Sequence, residues 1–310
     1  MTEALLTRAR PRAFLKRDWW RKFAIGLPFL WLSVFFLLPF FFIMKLSVAE
    51  SEMGIPPFSP LISQWVGWLP TFDLHWDSFG YLTEDWLYAS AYLNSLKTAL
   101  ITTIGCVLIG YPMAYAIVTA PPRRRPLLLT LIIMPFWTSF LIRVYAWIAI
   151  IRGDGLINQI LHAIGFSEHA MTLMYTPAAV YIVMVYAYLP LFLLPLYAQL
   201  EKLDMTYIEA ANDLGARPAS AFLFVTLPLS LPGIVAGCML VFIPAVGEYI
   251  IPTLIGDPGM HMISMVVWDE FFQNNDWPTA AALALIVVGI LLVPLVIFQW
   301  ARGRMREGTQ

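Results

Sequence analysis

The chain has 310 residues, of which 60% are hydrophobic and 13% are charged, and its mean hydropathy is +0.73. A soluble domain carries about 25% charged residues, so this composition excludes an ordinary soluble protein and places most of the chain in a membrane. The net charge of −1 says nothing about binding partners until the charges are sorted by side of the membrane.

Six apolar segments are long enough to cross a hydrocarbon core of about 30 Å as helices. A helix is required because backbone polar groups in lipid must be satisfied within the segment. The predicted transmembrane helices are 24–45, 93–118, 127–151, 178–199, 225–252 and 279–301. The first is interpreted as a retained helix, although "SVA" follows it, because its apolar run is longer than that of a signal peptide.

Lysine and arginine are concentrated on one side of these helices. Fifteen of the 19 basic residues lie before the first helix, in the second-to-third and fourth-to-fifth connections, and after the last helix. They are Arg8, Arg10, Arg12, Lys16, Arg17, Arg21, Lys22, Arg123, Arg124, Arg125, Lys202, Arg217, Arg302, Arg304 and Arg306. The positive-inside rule therefore predicts that both termini are cytoplasmic.

The opposite connections are acidic and contain a single arginine, Arg152. Their twelve carboxylates are Glu50, Glu52, Asp73, Asp77, Glu84, Asp85, Asp154, Glu168, Asp257, Asp269, Glu270 and Asp276. This is either the other half of the charge bias or an outer surface that attracts cations over about 8 Å. The first outer connection, rich in Pro and Trp, is expected to carry short interfacial helices and no independent domain.

A short charged segment, "EAANDLGARP" at 209–218, separates the fourth and fifth predicted helices. Thr206 and Glu209 fit a capping box, Gly215 is placed to end a helix in the left-handed conformation, and Pro218 can begin the next helix. The pattern predicts a short helix over 206–214. An ordinary helical hairpin between two spans would explain the same spacing.

The segment "EAANDLGA", followed by "LP" at 227–228, resembles the EAA loop of the permease subunits of type I ABC importers. Two further stretches, "MPFWTSFLIRVYAWIAIIRGDGLIN" (134–158) and "MLVFIPAVGEYIIPTLIG" (239–256), resemble the polyamine branch, the permeases for putrescine and spermidine. The resemblance implies an all-α integral membrane protein with six transmembrane helices and the MetI-like permease fold. It divides the chain into a basic cytoplasmic segment (1–22), a permease domain (23–301, with the coupling loop at 201–222) and a cytoplasmic tail (302–310).

In that family the EAA loop forms a coupling helix that docks on a cytoplasmic ATPase. The resemblance implies that the coupling residues are Glu209, Ala210, Ala211, Asp213 and Gly215. It also implies four partners: a second homologous permease, an ATPase dimer, a periplasmic substrate-binding protein and membrane lipid. Nucleic acid is not expected.

A charge inside a span costs at least about 2.5 kcal/mol on insertion scales, so it usually has a function. Glu248 lies in the predicted fifth helix, where a carboxylate beside aromatic rings would bind an organic cation. The expected substrate pathway consists of Glu248, Tyr249, Trp137, Ser139, Tyr186 and Tyr188. Glu248 as an interhelical or interfacial partner, and the aromatic residues as packing, are the alternatives. Arg143 would repel a cation and is expected to pair with a carboxylate or with backbone carbonyls.

Sequence motifs for chemistry are not apparent: there is no GxxxxGK[ST], GxSxG or HExxH pattern, and His75, His162, His169 and His261 are scattered. We therefore expect no catalytic residues, metal or cofactor, and we expect ATP hydrolysis on a separate chain. The alternatives are a permease of the same fold for ferric ion, sulfate or thiamine, or a stand-alone secondary transporter. A secondary transporter would predict inverted repeats, and none is apparent by inspection.

Overall fold

The computed structural model describes residues 13–59, 62–66, 69–72, 74–165, 171–204 and 206–307, with side chains described over 20–59, 74–165, 171–204 and 206–296. Arg8, Arg10, Arg12, Asp73, Glu168 and His169, which carried predictions above, lie outside the described residues. Most of the described backbone is helical.

The α-helices follow one another along the described chain. They are α1 (Ala13–Leu32), α2 (Leu38–Leu46), α3 (Asp77–Glu84), α4 (Trp86–Thr119), α5 (Arg125–Ile133), α6 (Phe140–Ile151), α7 (Leu156–Ala163), α8 (Pro177–Leu200), α9 (Thr206–Asp213), α10 (Pro218–Ala221), α11 (Leu227–Val246), α12 (Ile250–Ile255), α13 (Ile263–Trp268) and α14 (Trp277–Glu307). Single π-helical turns at Ser33–Leu37, Phe222–Thr226 and Asp269–Gln273 link neighbouring helices.

Five helical segments are long and apolar enough to cross a membrane. They are Trp20–Leu46, Trp86–Thr119, Pro177–Leu200, Pro218–Val246 and Trp277–Val296. A sixth crossing is formed if the bent pair Arg125–Trp137 and Phe140–Ala163 counts as one span. The prediction of an all-α membrane protein with six transmembrane helices is confirmed, with the bent pair counted as the sixth.

The prediction of a continuous third helix over 127–151 is wrong, because its two halves meet at 93°. The backbone is extended at Thr138 and Ser139. Both the amide and the hydroxyl of Thr138 bind the carbonyl of Pro135, at 3.2 Å and 2.7 Å, and this closes the first half.

The predicted fifth helix, 225–252, is also wrong at its end. The helix stops at Val246, Gly247 to Tyr249 form a break, and α12 resumes at Ile250. Glu248 therefore lies in a break between two helices and not in the middle of a span.

The first outer connection contains more than the short helices expected from its composition. Strand β1 (Ile62–Val66) pairs antiparallel with β2 (Leu69–Phe72), with Val66 opposite Leu69. Helix α3 follows, so the connection combines a hairpin with one helix.

The core is a bundle of α4, α8 and α11, and Phe192 of α8 lies at its centre with no exposed surface. A Cβ at Gly110 of α4 would stand 2.6 Å from the Phe192 ring. A Cβ at Gly237 of α11 would stand 2.7 Å from the Phe192 carbonyl oxygen. Helices in lipid associate by close packing, which small residues permit, so the two glycines determine how near α4 and α11 approach α8.

Hydrogen bonds connect this bundle to its surroundings. The Tyr111 hydroxyl lies 3.0 Å from Ser230 Oγ, which joins α4 to α11. Tyr92 of α4 donates to the carbonyl of Leu283 in α14 at 2.8 Å. The first span is attached only loosely: its side chains are mostly exposed, and α2 packs against α14.

We predict that Gly237→Ala lowers the stability of the protein by about 1–3 kcal/mol, because the methyl group would overlap the Phe192 backbone and force the helices apart. The matched control is Gly289→Ala in α14, where a Cβ meets nothing within 4 Å. The midpoint of thermal unfolding in detergent should fall for the first variant only. Equal midpoints would contradict the assigned packing.

Candidate functional site

The segment between α8 and α11 begins with a capped helix. The side chain of Asp204 accepts a hydrogen bond from the amide of Thr206 at 3.0 Å, and this bond lowers the pKa of the Asp204 carboxyl. The predicted capping box of Thr206 and Glu209 is therefore corrected. The helix is capped by Asp204, whose carboxylate binds the amide of Thr206, the first residue of α9.

The end of α9 forms as predicted at Gly215, whose φ is +84°. The amide of Gly215 binds the carbonyl of Asn212 at 2.9 Å, and the amide of Ala216 binds that of Ala211 at 3.0 Å. These two bonds are the Schellman pattern. A Cβ at Gly215 would meet nothing within 4 Å, so glycine is favoured here by backbone conformation alone.

This segment presents an exposed surface that no described part of the chain covers. Glu209, Ala210 and Asp213 are exposed, and Ala211 is half-buried. Two apolar side chains are exposed beside them, Tyr207 and Leu214, the latter at 90%. We name residues 201–217 the EAA segment and the end of the bundle that carries it the EAA end.

The EAA segment is attached firmly to the spans on both sides. On one side, the Tyr197 hydroxyl donates to Glu201 at 2.7 Å where α8 ends. On the other, the ring of Phe222 packs edge-on against Tyr111 and Tyr115 of α4, with centroids 5.5 Å and 5.7 Å apart. The two flanks of the EAA segment are therefore fixed to α8 and α4.

At the opposite end of the bundle, Glu248 is buried, with 7% of its surface exposed. One carboxylate oxygen accepts from the amides of Ile250 and Ile251 at 2.9 Å and 3.2 Å. The other accepts from the hydroxyl of Tyr188 in α8. Its backbone carbonyl accepts from Ser264 Oγ at 2.5 Å. The carboxylate is thus fully hydrogen-bonded within the chain.

The structure brings three of the six predicted pathway residues together: Tyr188, Glu248 and Tyr249. The ring of Tyr249 stacks on Trp268 at 5.1 Å, and Trp268 is half-exposed and lies 4.1 Å from the ring of Phe272. Sequence reasoning missed Trp268 and Ser264, since both lie beyond the predicted fifth helix. The run of aromatic and acidic residues from Trp268 to Phe272 was the available signal in the sequence.

The other three predicted residues lie elsewhere. Trp137, 77% exposed, and Ser139, also exposed, flank the bend of the third span. Tyr186 is half-buried and packs edge-on against Trp147 of α6 at 5.4 Å.

Arg143 binds the bend of the third span. Its guanidinium donates to the carbonyl of Pro135 at 3.2 Å and lies 4.6 Å and 5.7 Å from the ring centroids of Phe136 and Phe140. The expected pairing with a backbone carbonyl is confirmed. Arg143 is not the partner of Glu248, whose oxygens are occupied by Tyr188, Ile250 and Ile251.

A second buried carboxylate, Glu270, lies at the same end of the bundle. It accepts from the Tyr88 hydroxyl and from Asn274 Nδ2, both at 2.9 Å. Glu270 also lines an open cavity of about 560 Å³ together with Glu52 and Asp276. Within the described residues, no group of three or more His, Cys, Asp or Glu side chains is placed to hold a metal ion.

The comparisons with known proteins assign this multi-span helical bundle to a class of transport protein. A family described as "Binding-protein-dependent transport system inner membrane component" matches residues 106–307. The chain belongs to this family, and it is a multi-pass inner membrane protein.

Relatives and solved structures extend this assignment. The spermidine/putrescine transport system permease protein PotB of Salmonella typhimurium (strain SL1344) is 40% identical over 221 residues, which are 71% of this chain and 77% of that protein. PotB of Escherichia coli (strain K12) is 39% identical over 221 residues, 71% of this chain and 80% of that protein. A chain of a bacterial alginate ABC transporter, solved in complex with a periplasmic protein bound to alginate pentasaccharide, shares the fold. Its TM-score is 0.66 at 17% identity, over 93% of this chain and 96% of that one.

Proposed function

We propose that this chain is one permease subunit of an ATP-driven importer that moves the polyamines putrescine and spermidine into the cytoplasm. The observation that carries the proposal is the 40% identity to spermidine/putrescine permeases across 71% of the chain. A protein for ferric ion, sulfate or thiamine would share the fold but not this level of similarity to polyamine permeases.

The EAA segment is the docking site for the ATPase in this proposal, and the EAA end faces the cytoplasm. Fifteen of the 19 basic residues lie in segments assigned to that side, which supports the orientation. The exposed surface of the EAA segment, with Glu209, Ala210 and Leu214, is available for a partner. A second permease subunit completes the pore, a pair of ATPase subunits drives it, and a periplasmic binding protein delivers the substrate.

The cation pathway passes Glu248 and Tyr249 at the opposite end. A polyamine carries several ammonium groups joined by methylenes, so a carboxylate beside aromatic faces matches both parts of it. The half-exposed ring of Trp268, stacked on Tyr249, extends this surface. The acidic cavity lined by Glu52, Glu270 and Asp276 would raise the local concentration of such cations.

Uptake of radiolabelled putrescine and spermidine tests the proposal. Cells that lack this chain should lose uptake of both compounds, and expression of the chain should restore it. Sulfate and thiamine uptake serve as controls and should not change. Restored sulfate or thiamine uptake without polyamine uptake would reject the cargo while leaving the family assignment intact.

We predict that Gly215→Val prevents coupling of ATP hydrolysis to uptake without preventing membrane insertion. A left-handed conformation costs an L-residue about 1–2 kcal/mol, and a β-branched residue is the worst case. Gly215→Asn is the matched control, because asparagine tolerates this conformation. Full ATP-driven uptake by the valine variant would show that the turn has no role in coupling.

We predict that Glu248→Gln lowers polyamine uptake about tenfold to a hundredfold at low substrate concentration, since a hydrogen bond to a charged group is worth about 1.5–3 kcal/mol. Assembly should persist, because a glutamine oxygen still accepts from Ile250 and Ile251. Glu270→Gln, which changes the other buried tyrosine-bound carboxylate, should have a smaller effect. Normal uptake by Glu248→Gln would remove Glu248 from the pathway.

A further inference from the structure

Helices α8 and α11 are joined at two levels of the bundle. At the EAA end the chain itself connects them through residues 201–226. Halfway along α8, the Tyr188 hydroxyl donates to Glu248, which lies two residues beyond the end of α11. The two helices and their two connections form a closed frame.

Tyr188 lies close to the contact between Phe192 and Gly237, about which α8 and α11 can tilt. Phe192 lies one helical turn from Tyr188, and its backbone and ring face Gly237 of α11. A Cβ at Gly233, one turn nearer the EAA end, would stand 2.6 Å from Gln199 Cβ. A tilt of α8 against α11 about these contacts would change the separation of Tyr188 and Glu248. Tyr188 is about 18 Å along the helix from Leu200, where the EAA segment begins.

The carboxylate of Glu248 is inaccessible to a ligand in this conformation. Its exposed fraction is 7%, and both oxygens already accept hydrogen bonds from Tyr188, Ile250 and Ile251. The two amides belong to the start of α12 and stay with Glu248 when neighbouring helices move. Helix α12 is itself held at its far end, where the amide of Tyr175 binds the carbonyl of Ile255 at 3.0 Å. The bond from Tyr188 is therefore the contact that can open while α12 remains intact.

We propose that Tyr188 is a positioning residue for the cation site: its hydrogen bond to Glu248 keeps the carboxylate buried in this conformation and breaks before an ammonium group binds there. This inference rests on the proposed role of Glu248 in polyamine transport. It also links that role to the EAA end, because displacement of α9 shifts α8 against α11. In this arrangement the ATPase controls when Glu248 is accessible, and Tyr188 is the residue through which that control acts.

The accessibility of Glu248 can be measured directly with dicyclohexylcarbodiimide, an apolar reagent that modifies carboxyl groups in membrane proteins. The assembled importer, with both permeases and the ATPase, is treated in lipid nanodiscs, and modification of Glu248 is quantified by mass spectrometry. Wild-type importer at rest should react slowly. The Tyr188→Phe variant should react about tenfold to a hundredfold faster, the factor expected for loss of a hydrogen bond to a charged group.

Tyr88→Phe is the matched control, because it removes the equivalent bond to Glu270 at the same end of the bundle. It should increase modification of Glu270 and leave that of Glu248 at the wild-type rate. Equal rates at Glu248 for Tyr188→Phe and wild type would overturn the proposal. So would an increase at Glu248 in Tyr88→Phe as large as that in Tyr188→Phe, since it would indicate general loosening.

Nucleotide control of the bond between Tyr188 and Glu248 can also be tested on the wild-type importer, which does not depend on assembly of the Tyr188→Phe variant. Wild-type importer trapped with ATP and vanadate should be modified at Glu248 faster than the resting importer, whereas identical rates would reject nucleotide control of this bond. Neither measurement uses a polyamine. A chain that fails to import polyamines yet shows the predicted labelling would reject the proposed cargo and retain the role of Tyr188 in controlling access to Glu248.

Discussion

A backbone that leaves its helix within or beside a membrane must find new hydrogen-bond partners, and this constraint explains the contacts of Arg143 and Glu248. Where the third span bends, the guanidinium of Arg143 donates to the carbonyl of Pro135. Where the fifth span breaks, the carboxylate of Glu248 accepts from the amides of Ile250 and Ile251. The positive group adds a hydrogen bond to a carbonyl at a helix end, and the negative group satisfies the amides at a helix start. Each charge is held in place by the irregular backbone that it stabilises.

Close packing of the helices then connects the bend of the third span and the break of the fifth to the centre of the bundle. The absence of side chains at Gly110 and Gly237 lets α4 and α11 contact α8 at Phe192. Tyr188 is one turn away on the same helix and holds Glu248. The pair resembles that of Tyr88 and Glu270 nearby, so two tyrosines of the bundle bind two buried carboxylates at one end. Burial of a carboxylate is tolerated because its oxygens are paired.

The EAA segment differs from these sites because its geometry is local. Asp204 caps α9, and Gly215 ends it in the left-handed conformation with both Schellman hydrogen bonds. Its exposed surface contains apolar side chains such as Leu214, which suits contact with another protein. The EAA segment thus takes its shape from residues that are adjacent in the sequence, whereas the buried site at Glu248 is formed by residues that are far apart in the sequence.

The sequence by itself determined the membrane class, the five long helical spans, the resemblance to importer permeases and the turn at Gly215, because hydropathy and turn chemistry depend on adjacent residues. It identified Glu248 and Tyr188 as candidates but not as a pair, since 60 residues separate them. The bend at Thr138 and the end of α11 at Val246 were decided by the tertiary structure, whereas the cap at Asp204 is a local contact that sequence reasoning missed. Apolar runs look continuous in sequence whether or not the helix breaks, and only packing against α8 and the side chains of Arg143 and Glu248 makes those breaks stable.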